Sequence, residues 1–111
     1  MKAKNELITL QVIDTVQNTN GFPTESVVDS TEVFAEIESV KRTEFNQAQK
    51  EGRKLSMTVT IGYEDWRQSR FKIGEKLKVP SKVLVDEIPH NIYRTYRTND
   101  YEIELVLEEI E

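Results

Sequence analysis

The sequence predicts a mainly β fold: a small antiparallel β-barrel of about six to seven strands with one short α-helix after the second strand. The first observation is that apolar and polar residues alternate at a period of two in several separate stretches, the mark of strands with one buried face. The second is that one stretch, within residues 41–53, changes to helical spacing. Many strands and little helix in a short chain favour closure into a barrel, because closure removes exposed strand edges.

In chain order, Ile8, Leu10 and Val12 mark the first strand, and Val33, Ala35 and Ile37 in "TEVFAEIES" mark the second. The helix follows in "KRTEFNQAQKEGR", where Thr43 is placed to cap it and Glu44 favours its positive end. Phe45, Ala48 and Gln49 share a face, and Gly52 stops it. About two turns of helix do not stand alone in water, so Phe45 and Ala48 are expected to dock on the sheet. The clearest strand is "KLSMTVTIGY", with Leu55, Met57, Val59, Ile61 and Tyr63 on one face. "KVLVDEI" and "IYRTYR" read as two strands joined through Pro89, His90 and Asn91, and "RFKIGEKLKV" as a short hairpin turning at Gly74 and Glu75. The final hairpin pairs Ile92–Arg97 with Tyr101–Leu107 around Thr98, Asn99 and Asp100, burying Tyr101, Ile103, Leu105 and Leu107. Arg94, Arg97, Glu102 and Glu104 become neighbours across it, in pairs worth little in water.

Two stretches resist this scheme. Asp14–Ser30, "DTVQNTNGFPTESVVDS", reads as a long polar loop, shorter if Val27 and Val28 extend the following strand, and loops of that length in compact domains are usually functional or disordered. "YEDWRQSR", with the only tryptophan, Trp66, is a smaller irregularity.

The 111 residues suit a single domain, 1–111. A net charge of −5 argues against general affinity for nucleic-acid phosphates. The absence of cysteine rules out disulfides, thiolate nucleophiles and cysteine-ligated zinc, and fits a reducing compartment. The amino-terminal "MKAKNELITLQVIDTVQ" has the pattern of neither a signal peptide nor a membrane span. His90 has no second histidine or cysteine with which to share a metal and reads as a solvated turn residue. Glu36 with Glu38, and Glu64 with Asp65, form carboxylate pairs of the kind acid–base work uses, and an outward strand face produces such pairs without it.

The charge map says more. From Arg67 to Lys82 the bases Arg67, Arg70, Lys72, Lys76, Lys78 and Lys82 face only Glu75, whereas from Asp100 onward every charge is acidic. Such segments pair within a fold, or they meet between copies in a head-to-tail contact that closes into a ring. Interleaved aromatics and arginines offer a different reading, a small oligonucleotide-binding barrel in which Tyr63, Trp66, Phe71, Tyr93 and Tyr96 stack bases. Such barrels carry their helix between the third and fourth strands, whereas here it falls between the second and third.

Taken in order, three blocks resemble the head-closure, or head–tail adaptor, proteins of long-tailed bacteriophages and prophages of Gram-positive bacteria. They are the early "ITLQ" strand, "VFAEIESVKRTEFNQAQKEG", and the closing "IYRTYRTNDYEIELVLEE", which is the most specific. The resemblance covers nearly the whole chain, and "RFKIGEKLKVPSKV" departs most from it. It implies a stopper-type virion protein without catalytic residues, cofactor or metal. Such a protein is monomeric when isolated and forms a ring under the portal or adaptor, closing the DNA-filled head and presenting the tail docking face. The implied partners are portal and adaptor ring proteins, a tail-completion protein and further copies of the chain, with at most incidental contact with packaged DNA and none with membrane. Assembly is expected in the host cytoplasm, and the final place is the virion head–tail junction. Asn18, Asn20, Gly21, Phe22 and Pro23 become the candidate channel or portal loop. Arg67, Arg70, Lys72 and Lys76, set against Glu102, Glu104 and Glu108, become the candidate subunit interface. A tail-completion protein of the same virion class is a neighbouring alternative, and a small hydrolase is a third, resting only on the carboxylate pairs.

Overall fold

The computed structural model describes residues 5–17 and 20–110. In chain order the elements are β1 (Glu6–Gln17), β2 (Pro23–Glu38), α1 (Arg42–Lys50), β3 (Leu55–Gly62), α2 (Tyr63–Ser69), β4 (Phe71–Ile73), β5 (Lys76–Lys78), β6 (Lys82–Val85), β7 (Ile88–Arg97) and β8 (Glu102–Glu109). The mainly β class and the helix after the second strand are as the sequence predicts.

Six strands pair in the order β1-β2-β3-β8-β7-β6, and β6 returns to β1 through Thr9↔Leu84, Leu10↔Val83 and Gln11↔Lys82, which closes the barrel. The period-two alternation explains why: each strand turns one row of apolar side chains inward. Ile8 and Leu10 of β1 meet Val33 and Ala35 of β2, Val59 and Ile61 of β3, Val83 and Val85 of β6, and Ile103, Leu105 and Leu107 of β8 in one cluster. Tyr101 is a correction to the buried row, since it precedes β8 and is 82% exposed.

Helix α2 is the element that the sequence reading missed. Gly62 ends β3 and is also the residue on which α2 starts, so the helix follows the strand with no loop between them. Trp66 reaches from α2 into the main cluster and is only 7% exposed. Ser69, three residues on and also buried, donates its hydroxyl to the Trp66 carbonyl at 2.6 Å. The helix therefore lies over one mouth of the barrel with its indole as the plug.

Helix α1 packs on the outer wall. Ala48 and Phe45 meet Leu55, Val106 and Tyr93, the docking that its short length requires. The expected cap is corrected: Lys41, not Thr43, occupies the N-cap position, and no side chain caps the helix. An ion pair holds the start of α1 instead. Arg94 of β7 donates to both carboxylate oxygens of Glu44, one bond being 2.7 Å long, and also reaches Glu104 at 3.3 Å. The Arg94 guanidinium beside Glu44 holds that carboxyl below the usual glutamate range.

The β6–β7 connection is also corrected. Its turn is Asp86 and Glu87, both at positive φ (51° and 65°), and Pro89, His90 and Asn91 belong to β7. Two central residues in the left-handed region match the twist of a two-residue hairpin, though neither is the glycine or asparagine that normally signals it. The β4–β5 hairpin turns at Gly74 and Glu75 as expected, and it forms a separate two-stranded sheet.

The largest correction concerns residues 14–30. This segment is a two-stranded ribbon: β1 and β2 stay paired from Glu6↔Ala35 out to Gln17↔Pro23, with a register shift between Val12 and Ile13. The barrel partners of both strands stop early, since β6 reaches only to Gln11 and β3 pairs only with Ala35–Glu38. Ile13–Gln17 and Pro23–Val28 therefore leave the barrel as an arm, about 15 Å long at the usual rise per residue. The Cα radius of gyration, 14.8 Å, exceeds the roughly 13 Å of a compact domain of this length, consistent with that projection. Antiparallel pairing places the arm, α2, the β4–β5 hairpin and the β7–β8 turn at one end of the barrel, and the β6–β7 turn and the end of β8 at the other.

Candidate functional site

The candidate loop lies at the tip of the arm. The base of the arm is fixed by Lys78 of β5, whose ammonium donates to the Ile13 carbonyl at 3.2 Å and to Asp14 Oδ1 at 3.0 Å. That hydrogen bond holds the Asp14 carboxyl below its ordinary range. Lys82 adds a contact to Glu25 at 3.0 Å, and the Ser81 amide donates to the Gln11 carbonyl at 3.0 Å. Beyond these ties Asn20, Gly21, Phe22 and Pro23 are exposed, Phe22 by 69%, and Gly21 turns the chain at φ 80°. Of the loop residues singled out from sequence, Asn18 lies outside the described residues.

The candidate interface residues fall into two groups with different states. The basic group lies on α2 and the hairpin that follows it: Arg67 near the end of α2, Arg70 just after it, and Lys72 and Lys76 on the β4–β5 hairpin. Arg67 reaches Glu64 at 3.7 Å within the helix, and Arg70 donates to the Arg67 carbonyl at 3.3 Å. Lys72 and Lys76 are exposed and form no ion pair among the described residues. The acidic group lies on β8, three strands from β1 in the six-strand ring and hence across the barrel. Its members already hold the fold: Glu108 pairs with Arg53 at 2.8 Å, Glu104 with Arg94, and Glu102 accepts from Asn99 at 3.1 Å. The expected cross-hairpin contact between Arg94 and Glu104 is present, while Arg97 goes elsewhere. Its guanidinium lies 3.8 Å from the centre of the Tyr63 ring and donates to the carbonyls of Asn99 and Asp100.

The aromatic residues do not form a stacking platform. Trp66 is in the core, Tyr63 lies under Arg97, Tyr93 packs against α1, Phe71 is half-buried on β4, and Tyr96 is exposed on β7. Of the carboxylate pairs, Glu64 is largely solvated and engaged with Arg67.

His90 is a correction, being a buried strand residue rather than a solvated turn residue. Its Nδ1 lies 3.0 Å from Ser56 Oγ, and Ser56 donates its own proton to the Leu107 carbonyl at 3.2 Å. The contact ties β7 to β3 across β8. Burial lowers the His90 pKa, partly offset by Glu109 opposite it, which also pairs with Lys54. Because the folded pKa lies below the unfolded value near 6.5, the stabilisation is complete above pH 6.5 and is lost as pH falls toward the folded pKa. Urea denaturation at a series of pH values is expected to show this loss, with a slope no steeper than about 1.4 kcal/mol per pH unit, and His90→Gln should flatten it.

The fold and its surface define the class first: a small β-barrel, plugged by a helix, that carries its exposed chemistry on a projecting ribbon and a charged flank. The family model described as phage head completion protein matches residues 3–109, and the chain belongs to that family. Its role is accordingly structural, in completing and closing the phage head at the virion head–tail junction in contact with other head and tail proteins. No curated protein matches the chain.

Proposed function

We propose that the chain is the stopper-type connector of a long-tailed phage or prophage: copies form a ring under the portal or adaptor, close the channel of the DNA-filled head, and offer the face on which the tail docks. The observation that carries this reading is the arm. A ribbon tied at its base by Lys78 and Lys82, with Phe22 exposed near its tip, can reach a neighbouring protein or a channel while the barrel holds its place in a ring. We assign Asn20, Gly21, Phe22 and Pro23 to that channel or portal contact. The basic flank of Arg67, Arg70, Lys72 and Lys76 is assigned to contact between copies. Glu102, Glu104 and Glu108 serve the barrel first and face the neighbour second, because each already has a partner in its own chain.

Gold-labelled antibody against the chain tests this placement. Label at the single vertex between head and tail is the expected pattern, and label spread over the capsid or along the tail would refute it.

A further inference from the structure

The arm has two edges in unequal states. On the β1 side, Lys78 and Ser81 bond the carbonyls of Ile13 and Gln11, and the β4–β5 hairpin stands against that edge. On the β2 side no strand pairs with Glu25–Phe34 among the described residues, because β3 meets β2 only at Ala35–Glu38. An unpaired strand edge is a template for another strand, and proteins usually protect it with lysine or proline. Glu25–Phe34 contains neither, and its Val27, Val28, Thr31, Val33 and Phe34 suit a strand. The one irregularity is Val28, passed over where Val12↔Asp29 gives way to Ile13↔Val27.

The β4–β5 hairpin has the complementary need. Its two strands of three residues pair only with each other, and an isolated two-stranded hairpin is marginal in water. Lys72 lies directly opposite Leu77, which is 55% exposed, and Lys76 is exposed beside it. Across from such a hairpin, the open edge of β2 offers Asp29 and Glu32, which form no ion pair among the described residues. The unpaired cations of the hairpin and the unpaired carboxylates of the edge cannot meet in one chain, because β1 stands between them.

We infer that neighbouring copies join by strand addition, the β4–β5 hairpin of one copy extending the sheet along the open β2 edge of the next, with Lys72 and Lys76 facing Asp29 and Glu32. The two surfaces lie on opposite sides of the arm, so the contact is head-to-tail and repeats from copy to copy, the kind of interface that generates a ring when the rotation closes. This inference rests on the connector reading and names the surface that reading needs. It also moves the acidic side of the contact from β8 to β2, where the carboxylates are not already used.

The chain has no cysteine, which permits a direct test. Particles assembled with a Ser30→Cys, Lys72→Cys double variant and treated with a short bismaleimide should give a ladder of multiples of the chain. Each single variant should stay monomeric, and so should Ser30→Cys combined with Gln49→Cys on α1. Double-variant chain that is incorporated yet remains monomeric would overturn the interface. Glu32→Lys should reduce incorporation several-fold and Lys72→Glu in the same chain should restore it, whereas loss without restoration would count against the pairing. Wild-type chain absent from tailed particles would instead remove the connector reading, and this inference with it.

Discussion

Replacing Ile13–Val28 with a two-residue Asn-Gly turn is expected to leave a folded barrel that no longer closes heads. Val12↔Asp29 would then flank the new turn, and the pairing from Glu6↔Ala35 to Val12↔Asp29 would survive intact. Asn-Gly supplies the two positive-φ residues that such a hairpin needs. The main cluster takes its β1 and β2 members from Ile8, Leu10, Val33 and Ala35, none of which is removed. The ion pairs removed with the arm, Lys78 to Asp14 and Lys82 to Glu25, join partly exposed side chains, and such pairs add little to stability. The melting temperature should therefore change little, while heads assembled with the variant should lose nearly all their packaged DNA. Circular dichroism checks the first half and nuclease protection of packaged DNA the second. A trimmed chain that seals heads normally would show that the arm is dispensable for closure.

The second large effect is expected from Trp66→Ala. Removing a buried indole from the barrel mouth costs about 3–5 kcal/mol, the usual range for emptying a large aromatic site. A domain of this size has about 5–15 kcal/mol in all, so the variant should melt lower by roughly 15 °C or more, and it risks unfolding at working temperature. Trp66→Phe keeps a ring in the site and should recover much of the loss. A drop of only a degree or two for the alanine variant would mean that α2 lies on the barrel without sealing it.

These two elements also mark the limits of what the sequence makes legible. The barrel strands are readable because one face of each is buried, so Ile8, Leu10, Val59, Ile61, Ile103 and Leu105 fall at a period of two. The arm has no core beneath it, so nothing forces apolar alternation on Asp14–Gln17 or Pro23–Ser30, and their Thr, Ser and Glu content reads as loop. Its strand signal was the Val27–Val28 pair and the β-branched residues around it. Helix α2 is one short helix with no polar linker before it, so its boundary signal coincides with the end of β3 at Gly62. The i, i+3 spacing of Trp66 and Ser69 was the available clue. The β6–β7 turn was misplaced because Asp86 and Glu87 adopt positive φ without glycine or asparagine, while Pro89 nearby carries a stronger turn signal.

The candidate site was legible by charge and not by pairing. The sequence separates a basic segment from an acidic one, and the fold carries the first on α2 and the β4–β5 hairpin and the second on β8. What the sequence does not carry is that Arg53 already engages Glu108, because that contact joins residues far apart in the chain that meet through the pairing of β3 with β8, whereas Arg94 with Glu104 and Asn99 with Glu102 are contacts within one hairpin. His90 shows the same limit: its burial follows from strand register, and its partner Ser56 lies on a different strand.

The central claim, that this chain closes the filled head, is tested most directly by electron microscopy of particles assembled in its absence, with the wild-type chain supplied in trans as the control. The account predicts DNA-depleted or tailless heads that become filled, tailed virions when the chain is restored. Filled and normally tailed virions formed without it would contradict the account.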